Sequence, residues 1–344
     1  GSEMCIRDSK NIIMAVSIED IKKLRAMTGA GLADVKKALT EAEGDFDKAK
    51  ELLRERGLAI AAKRSDRETS NGCVLVKKVN DFAAIIALKC ETDFVANGAD
   101  FIKLTSDILD AAIAAKAHTL DEVKTLKVGD ADAQAAVTQR SGITGEKMEL
   151  DGYCVLEGDN IEVYDHMNKH TLCTMVQLNE NNEEAGHKVA MQVAAMRPVA
   201  LDESSVSEET KKTELEVAVA KTKEELVEKA VNAALKKAGI NPAHVDSEEH
   251  IESNTKKGWL TPEQAEEARN IKKTVGEEKA ATLNPTMIQN IANGRLAKFF
   301  KENCLVDQEF QFGDGDKQTV AQYLASQSKD LKIVAYQRFT LAAE

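Results

Sequence analysis

The sequence predicts an α+β protein whose core consists of antiparallel sheets covered by helices. A continuous apolar run at residues 82–88 has the length of a buried strand, and an amphipathic helix follows it from Gly98. A later stretch, rich in Ala, Glu and Lys with helical periodicity, contains all of the chain's prolines, which are Pro198, Pro242, Pro262 and Pro285. Together these observations favour a mixed core with a protruding helical arm.

The length and charge of the chain limit the kinds of function it can have. Its 344 residues, of which 43 % are hydrophobic and 30 % charged, are typical of a soluble protein with more than one packed unit. The net charge of -12 disfavours nucleic acid as a ligand. No apolar stretch reaches the roughly 18 residues of a membrane span. We therefore expect a cytoplasmic protein that binds neither nucleic acid nor membranes directly.

The sequence lacks the familiar arrangements of catalytic and metal-binding residues. No phosphate-binding loop, zinc-protease motif or serine-hydrolase motif occurs, and the six cysteines show no CxxC spacing. His166 and His170 could share a metal only on one helix face, but they fall in a predicted hairpin region. We expect no enzyme activity, no cofactor and no metal site. The remaining enzymatic hypothesis is a thiol-dependent reaction at Cys90.

The N-terminal part is predicted to be a small helical module. Residues 1–13 form a polar leader that we expect to lie outside the fold, with Met14 as the natural start. Ser17 begins the first of three short helices in residues 14–57, Val16 and Ile21 are placed to form a hydrophobic staple, and the third helix is predicted to end near Gly57. Three such helices are typical of a ubiquitin-associated-like docking module.

The rest of the chain is divided into a linker, a two-part core and an arm. Residues 58–71 are charged and read as a solvated linker that does not fix the module. Core subdomain N, at 72–150, begins with a hairpin and a helix. Core subdomain C, at 151–205 and 285–344, is predicted to repeat this order with a hairpin of residues 153–156 and 161–164. Residues 206–284 form a helical hairpin or coiled-coil arm, whose role stays open.

The segment Thr92-Asp93-Phe94-Val95 is the main candidate for a binding site. It follows the buried strand and precedes a helix, and such connections often carry binding residues. Two interpretations remain open from the local sequence. The segment is either a protruding tip that enters a partner, or a helix cap with the Phe94 ring in the core.

Two motifs of the chain resemble those of the translation elongation factor Ts family and occur in the same order as in that family. The first is the Thr-Gly-Ala-Gly turn at residues 28–31 with Lys-Lys-Ala-Leu at 36–39, and the second is Thr-Asp-Phe-Val at 92–95. Residues 294–300 and 319–324 resemble late core segments of the family, so the resemblance extends from Met14 to the end. It implies a guanine nucleotide exchange factor that binds elongation factor Tu, in its GDP-bound and nucleotide-free forms, and promotes GDP release through magnesium dislocation.

The resemblance also implies roles for individual residues. Phe94 would act as a wedge in the GTPase and Asp93 would disturb the polar network around magnesium, with Thr92 and Val95 completing the segment. The module would dock on the nucleotide domain through the residues around its first turn, namely Leu24, Met27, Thr28, Gly29, Leu32 and Lys36. For Leu24 the alternative is burial inside the module, and for Lys36 it is a solvated helix face.

His166 is a further candidate, because Tyr164-Asp165-His166 resembles a strand end whose histidine touches the GTPase. The following residues, Met167-Asn168-Lys169, depart from the Gly-rich turn of relatives, so a solvent-exposed turn histidine is the alternative. The competing hypothesis for the whole protein is a non-catalytic adaptor that binds protein partners through its ubiquitin-associated-like module. Stoichiometry and self-association are left open.

Overall fold

The computed structural model describes residues 17–313 and 317–342. The predicted leader, the predicted start at Met14 and the staple residue Val16 lie outside these ranges. By its internal contacts the chain divides into two units, one running up to Arg197 and resuming at Phe310, and the other comprising Pro198–Glu309. No helix within the described ranges is long and apolar enough to span a membrane.

The N-terminal module has the three predicted helices, α1 (Ile18–Thr28), α2 (Leu32–Glu41) and α3 (Phe46–Ala62). Ser17 caps α1, since its side-chain oxygen accepts a hydrogen bond from the backbone N–H of Asp20 at 3.0 Å. A small apolar core that includes Leu24, Val35 and Leu39 holds the helices together. The prediction that α3 ends near Gly57 is wrong, because α3 continues through the first residues of the predicted linker to Ala62.

The first sheet contains three antiparallel strands in the order β1-β2-β5. These strands are β1 (Asn71–Val79), β2 (Phe82–Cys90) and β5 (Met148–Glu157). Between β2 and β5 the chain forms α4 (Asp93–Ala96), α5 (Ala99–Ala115), α6 (Leu120–Thr125), the short pair β3 (Lys127–Val128) and β4 (Ala131–Asp132), and α7 (Ala133–Thr144). β5 therefore crosses the predicted boundary between residues 150 and 151.

The second sheet has the order β6-β7-β8 and is also antiparallel. Its strands are β6 (Ile161–Asp165), β7 (Leu172–Leu178) and β8 (Ile333–Thr340), and its helices are α8 (Glu183–Met196) and α13 (Val320–Gln327). The predicted hairpin of residues 153–156 and 161–164 is wrong, because the first segment pairs with β2 and the second with β7. Gly158, at φ +133°, instead carries the chain from one sheet to the other.

The continuous apolar run in β2 is explained by its position between two packed layers. Phe82, Ile86 and Leu88 share one apolar cluster with α5, whereas Ala83 and Ile85 share another with β7. Because successive side chains of a strand point to opposite faces, a strand covered on both faces is apolar throughout. β2 is the central strand of its sheet, with β1 paired along one edge and β5 along the other.

The second unit is helical and contains the predicted arm. Its helices are α9 (Glu208–Lys237), α10 (Glu248–Lys256), α11 (Pro262–Ala281) and α12 (Pro285–Asn303). α11 packs against α9, since Ala265, Ala268 and Ile271 share an apolar cluster with Val231 and Leu235 of α9. The contacts also assign residues 198–205 and 285–309 to this unit, whereas the sequence analysis placed them in core subdomain C.

Candidate protein-binding site

The Thr92–Val95 segment forms an exposed tip at the end of β2. Thr92 caps the single turn of α4, its side-chain oxygen accepting a hydrogen bond from the Val95 N–H at 3.4 Å. Val95 packs against the core cluster of the first sheet, and Ala96 is buried in it. Phe94 points away from the core and is 87 % exposed. The interpretation with Phe94 in the core is therefore wrong, although Thr92 does act as a helix cap.

Two carboxylates hold the base of this tip. The Glu91 carboxylate accepts hydrogen bonds from Arg67 Nη1 at 2.8 Å and from the backbone N–H of Lys147 at 2.6 Å. The Glu146 carboxylate accepts hydrogen bonds from the Thr92 N–H at 3.1 Å and from the Thr92 hydroxyl at 2.6 Å. The hydrogen bond from Lys147, together with the neighbouring guanidinium groups, lowers the pKa of Glu91. Sequence analysis missed these carboxylates because their partners are distant in the chain.

The exposed candidate residues of the N-terminal module lie on either side of its first turn. Met27 is 55 % exposed, Leu32 is 57 % exposed, and Lys36 is also exposed. Gly29 ends α1 in the left-handed conformation with φ 68°, and the Thr28 hydroxyl donates to the Leu24 carbonyl at 2.7 Å. These residues form a turn flanked by apolar side chains.

Leu24 requires a correction. Its side chain is 0 % exposed and lies in the core of the module. A fully buried side chain offers no surface to a partner, so Leu24 supports the turn from inside and is not itself a contact residue. The structure therefore supports the alternative given for Leu24, which is burial inside the module.

His166 begins the turn between β6 and β7. Its Nδ1 lies 3.2 Å from the Tyr164 hydroxyl, and the His170 Nδ1 is paired with the Asp165 carboxylate at 2.5 Å. Met167 follows at 64 % exposure with φ 56°, an uncommon conformation for a residue other than glycine. Lys169 and His170 line a cavity of about 290 Å³ together with Asp93. The turn after His166 is thus a neighbour of the tip.

Cys90 is unsuited to nucleophilic chemistry. It is fully buried, and burial raises the pKa of its thiol to about 12. Its Sγ lies 3.2 Å from the Thr92 carbonyl, to which it donates. A thiol with this pKa stays protonated near neutral pH, whereas a nucleophilic cysteine needs the thiolate. The environment of Cys90 is that of a core residue.

An exposed aromatic side chain on an anchored tip, together with exposed apolar side chains on a helical module, is typical of proteins that act by contact with other macromolecules. The family model described as Elongation factor TS matches residues 91–343. Elongation factor Ts of Bacteroides fragilis is 62 % identical over 332 residues, which cover 96 % of this chain and 100 % of the relative. That of Parabacteroides distasonis is 60 % identical over 331 residues, again covering 96 % of this chain and 100 % of the relative.

The similarity extends to more divergent relatives. Elongation factor Ts of Porphyromonas gingivalis is 39 % identical over 333 residues, which cover 96 % of this chain and all of the relative. The chain therefore belongs to the elongation factor Ts family, as its motifs predicted. The role implied by this family is nucleotide exchange in translation elongation.

Proposed function

We propose that this protein binds elongation factor Tu in the cytoplasm, in its GDP-bound and nucleotide-free forms, and promotes GDP release by dislocating the bound magnesium. The observation that carries this proposal is the exposure of Phe94 on a tip whose other side is anchored in the core. An exposed phenylalanine gains free energy when a partner buries it, and aromatic anchors of this kind dominate interface energetics. No bond is made or broken by this chain.

The proposed action of the tip follows from its charge and shape. Phe94 inserts beside the nucleotide, and the neighbouring Asp93 carboxylate brings a negative charge close to the coordination shell of the ion. Once magnesium is displaced, the negative charge of the GDP phosphates is less well neutralised, and GDP is held more weakly. Because linkage is reciprocal, GDP weakens binding of the factor to the same extent. A ten-thousandfold effect corresponds to about 5.5 kcal/mol of differential binding.

Two further surfaces complete the proposed contact. Met27, Leu32 and Lys36 dock the N-terminal module on the nucleotide domain, with Thr28 and Gly29 shaping the turn between them. His166 contacts the GTPase at the strand end, and support for this role is its position before a turn whose Lys169 and His170 share a cavity with Asp93. Neither nucleic acid nor a membrane takes part in the proposed reaction.

The test is release of a fluorescent GDP from purified elongation factor Tu in magnesium-containing buffer. We expect substoichiometric amounts of this protein to accelerate release over many turnovers, because the factor leaves once a new nucleotide binds. Excess magnesium should reduce the acceleration if dislocation of the ion is the route. Binding without acceleration, with an active GTPase and a folded factor, would instead support the adaptor hypothesis.

The docking role of the module can be separated from its stability with two leucine variants. Leu32→Ala removes an exposed side chain, so we expect binding to weaken by about 1–2 kcal/mol with stability changed by no more than about 0.5 kcal/mol. Leu24→Ala opens a cavity in the module and should cost about 2–5 kcal/mol of stability. Binding is measured by titration with the GTPase and stability by thermal circular dichroism. Unchanged binding of Leu32→Ala would remove that side chain from the interface.

A further inference from the structure

The Glu91 carboxylate connects the base of the tip to the end of the N-terminal module. Glu91 directly follows β2 and is only 17 % exposed at its side chain. Besides the hydrogen bonds from Arg67 and Lys147, it has an ion pair with Arg64 at 3.6 Å. Arg64 and Arg67 lie just after α3, in the segment that the sequence predicted to be a solvated linker. This segment is therefore attached to the tip.

The same short segment is bound from the other side by the turn between α7 and β5. Lys147 Nζ donates to the Arg67 carbonyl at 2.9 Å and forms an ion pair with Glu149 at 2.8 Å. The Asn71 side chain donates to the Glu91 carbonyl at 2.9 Å. The partners of the Glu91 carboxylate are thus two guanidinium groups and one backbone N–H, which compensate its charge in this partly buried position.

The module itself is packed on the same part of the core. Gly57 of α3 and Gly142 of α7 approach so closely that a Cβ placed on Gly142 would lie 2.1 Å from the Gly57 Cα. α7 leads directly into the turn that holds Glu146 and Lys147, the residues that bind the base of the tip. The two candidate contact surfaces are consequently joined through α3, α7 and the Glu91 carboxylate.

We propose that Glu91 is a positioning residue for nucleotide exchange, whose carboxylate fixes the tip relative to the N-terminal module so that both surfaces meet the GTPase at one spacing. This inference rests on the proposed function. A tip that is free to move must be ordered when it inserts, and prior ordering removes that cost. The first encounter through the module does not require an ordered tip. Loss of this positioning should therefore lower the maximal rate of GDP release, while the concentration of factor that gives the half-maximal rate changes less.

The experiment compares Glu91→Gln with wild type in the full chain. Glutamine keeps the size of the side chain but removes the charge that pairs with Arg64 and Arg67. We expect the maximal release rate to fall about tenfold, the effect of losing one charge-assisted hydrogen bond, with the half-saturating concentration within about twofold. Arg67→Gln should also lower the maximal release rate, but by less than Glu91→Gln. Arg67→Lys should retain most of the wild-type rate because it keeps the positive charge.

The matched control is Asp81→Asn at the opposite end of β2. It removes the ion pair between Asp81 and Lys116, which are 2.9 Å apart, without touching the tip. Its release kinetics should equal those of wild type. A fall in rate with Asp81→Asn equal to that with Glu91→Gln would show a general effect of lost surface charge and would overturn the proposal.

A second readout does not depend on the GTPase. Amide hydrogen exchange on the free protein should become faster at residues 91–98 and 63–68 in Glu91→Gln, while β2 keeps its protection. Unchanged exchange at the tip, or an unchanged maximal release rate, overturns the positioning role. If wild type itself does not accelerate GDP release, the proposed function fails, and hydrogen exchange alone then decides whether Glu91 orders the tip.

Discussion

Phe94→Ala is expected to lower the rate of GDP release from elongation factor Tu by about 100-fold at equal concentrations of factor. Truncation of a central aromatic anchor costs about 2–4 kcal/mol of binding, and a 100-fold loss lies within that range. Because Phe94 is 87 % exposed, its removal leaves the core intact, and the melting temperature should hardly change. Stopped-flow release of fluorescent GDP measures the first effect and thermal circular dichroism the second.

Two further variants test whether the effect is specific to the aromatic side chain at this position. Phe94→Leu retains an apolar side chain and should show an intermediate rate, since part of the buried area remains. Val79→Ala removes another exposed apolar side chain at the end of β1 away from the tip, and should leave release unchanged. Release by Phe94→Ala at the wild-type rate would remove the wedge from the proposed mechanism, even if exchange itself is observed.

Gly142→Ala is expected to destabilise the packing of the N-terminal module on the core. Its new methyl group would meet the Gly57 Cα at 2.1 Å and the Gly57 carbonyl carbon at 2.9 Å. Backbone atoms cannot move aside like the end of a flexible side chain, so α3 and α7 must separate. We expect a loss of about 1–3 kcal/mol of unfolding free energy, despite the helix propensity that alanine adds. Denaturant unfolding measures the loss, and amide exchange in α3 locates it.

The control is Gly294→Ala in α12, a glycine whose added methyl group would meet nothing within 4 Å. The same substitution should stabilise the protein there by about 0.5–1 kcal/mol, because alanine narrows the conformations of the unfolded chain. If both variants had the same effect, helix propensity alone would account for it, and close packing of α3 on α7 would have no energetic role.

Features that depend on residues close together in the sequence were predicted correctly. Ser17 was identified as a helix start, and it caps α1 as expected, because a cap needs only a backbone N–H two or three residues away. The start of α5 after Gly98 and the buried run in β2 were likewise visible as local patterns. The family was recognised from short motifs for the same reason.

Features that depend on distant contacts were predicted incorrectly or left undecided. Gly158, which directly follows β5, is compatible with a hairpin turn, but β5 pairs with the open edge of β2 instead of with β6. Gly57 resembles a helix end in sequence, whereas the close approach of Gly142 makes it a packing position inside α3. Leu24 and Leu32 are both leucines on amphipathic helices, and only their tertiary surroundings separate the buried one from the exposed one.

Local patterns in the sequence were enough to predict the α+β class, the starts of α1 and α5, the family and the candidate binding segment at residues 92–95. Only the packing of the folded chain shows that Phe94 faces outward and that Glu91 and Glu146 hold the base of the tip. These carboxylates are joined to partners 24 to 56 residues away along the chain. The physical reason is one of range: caps, turns and apolar periodicity act over a few residues, whereas burial and charge pairing are settled only when distant segments pack together.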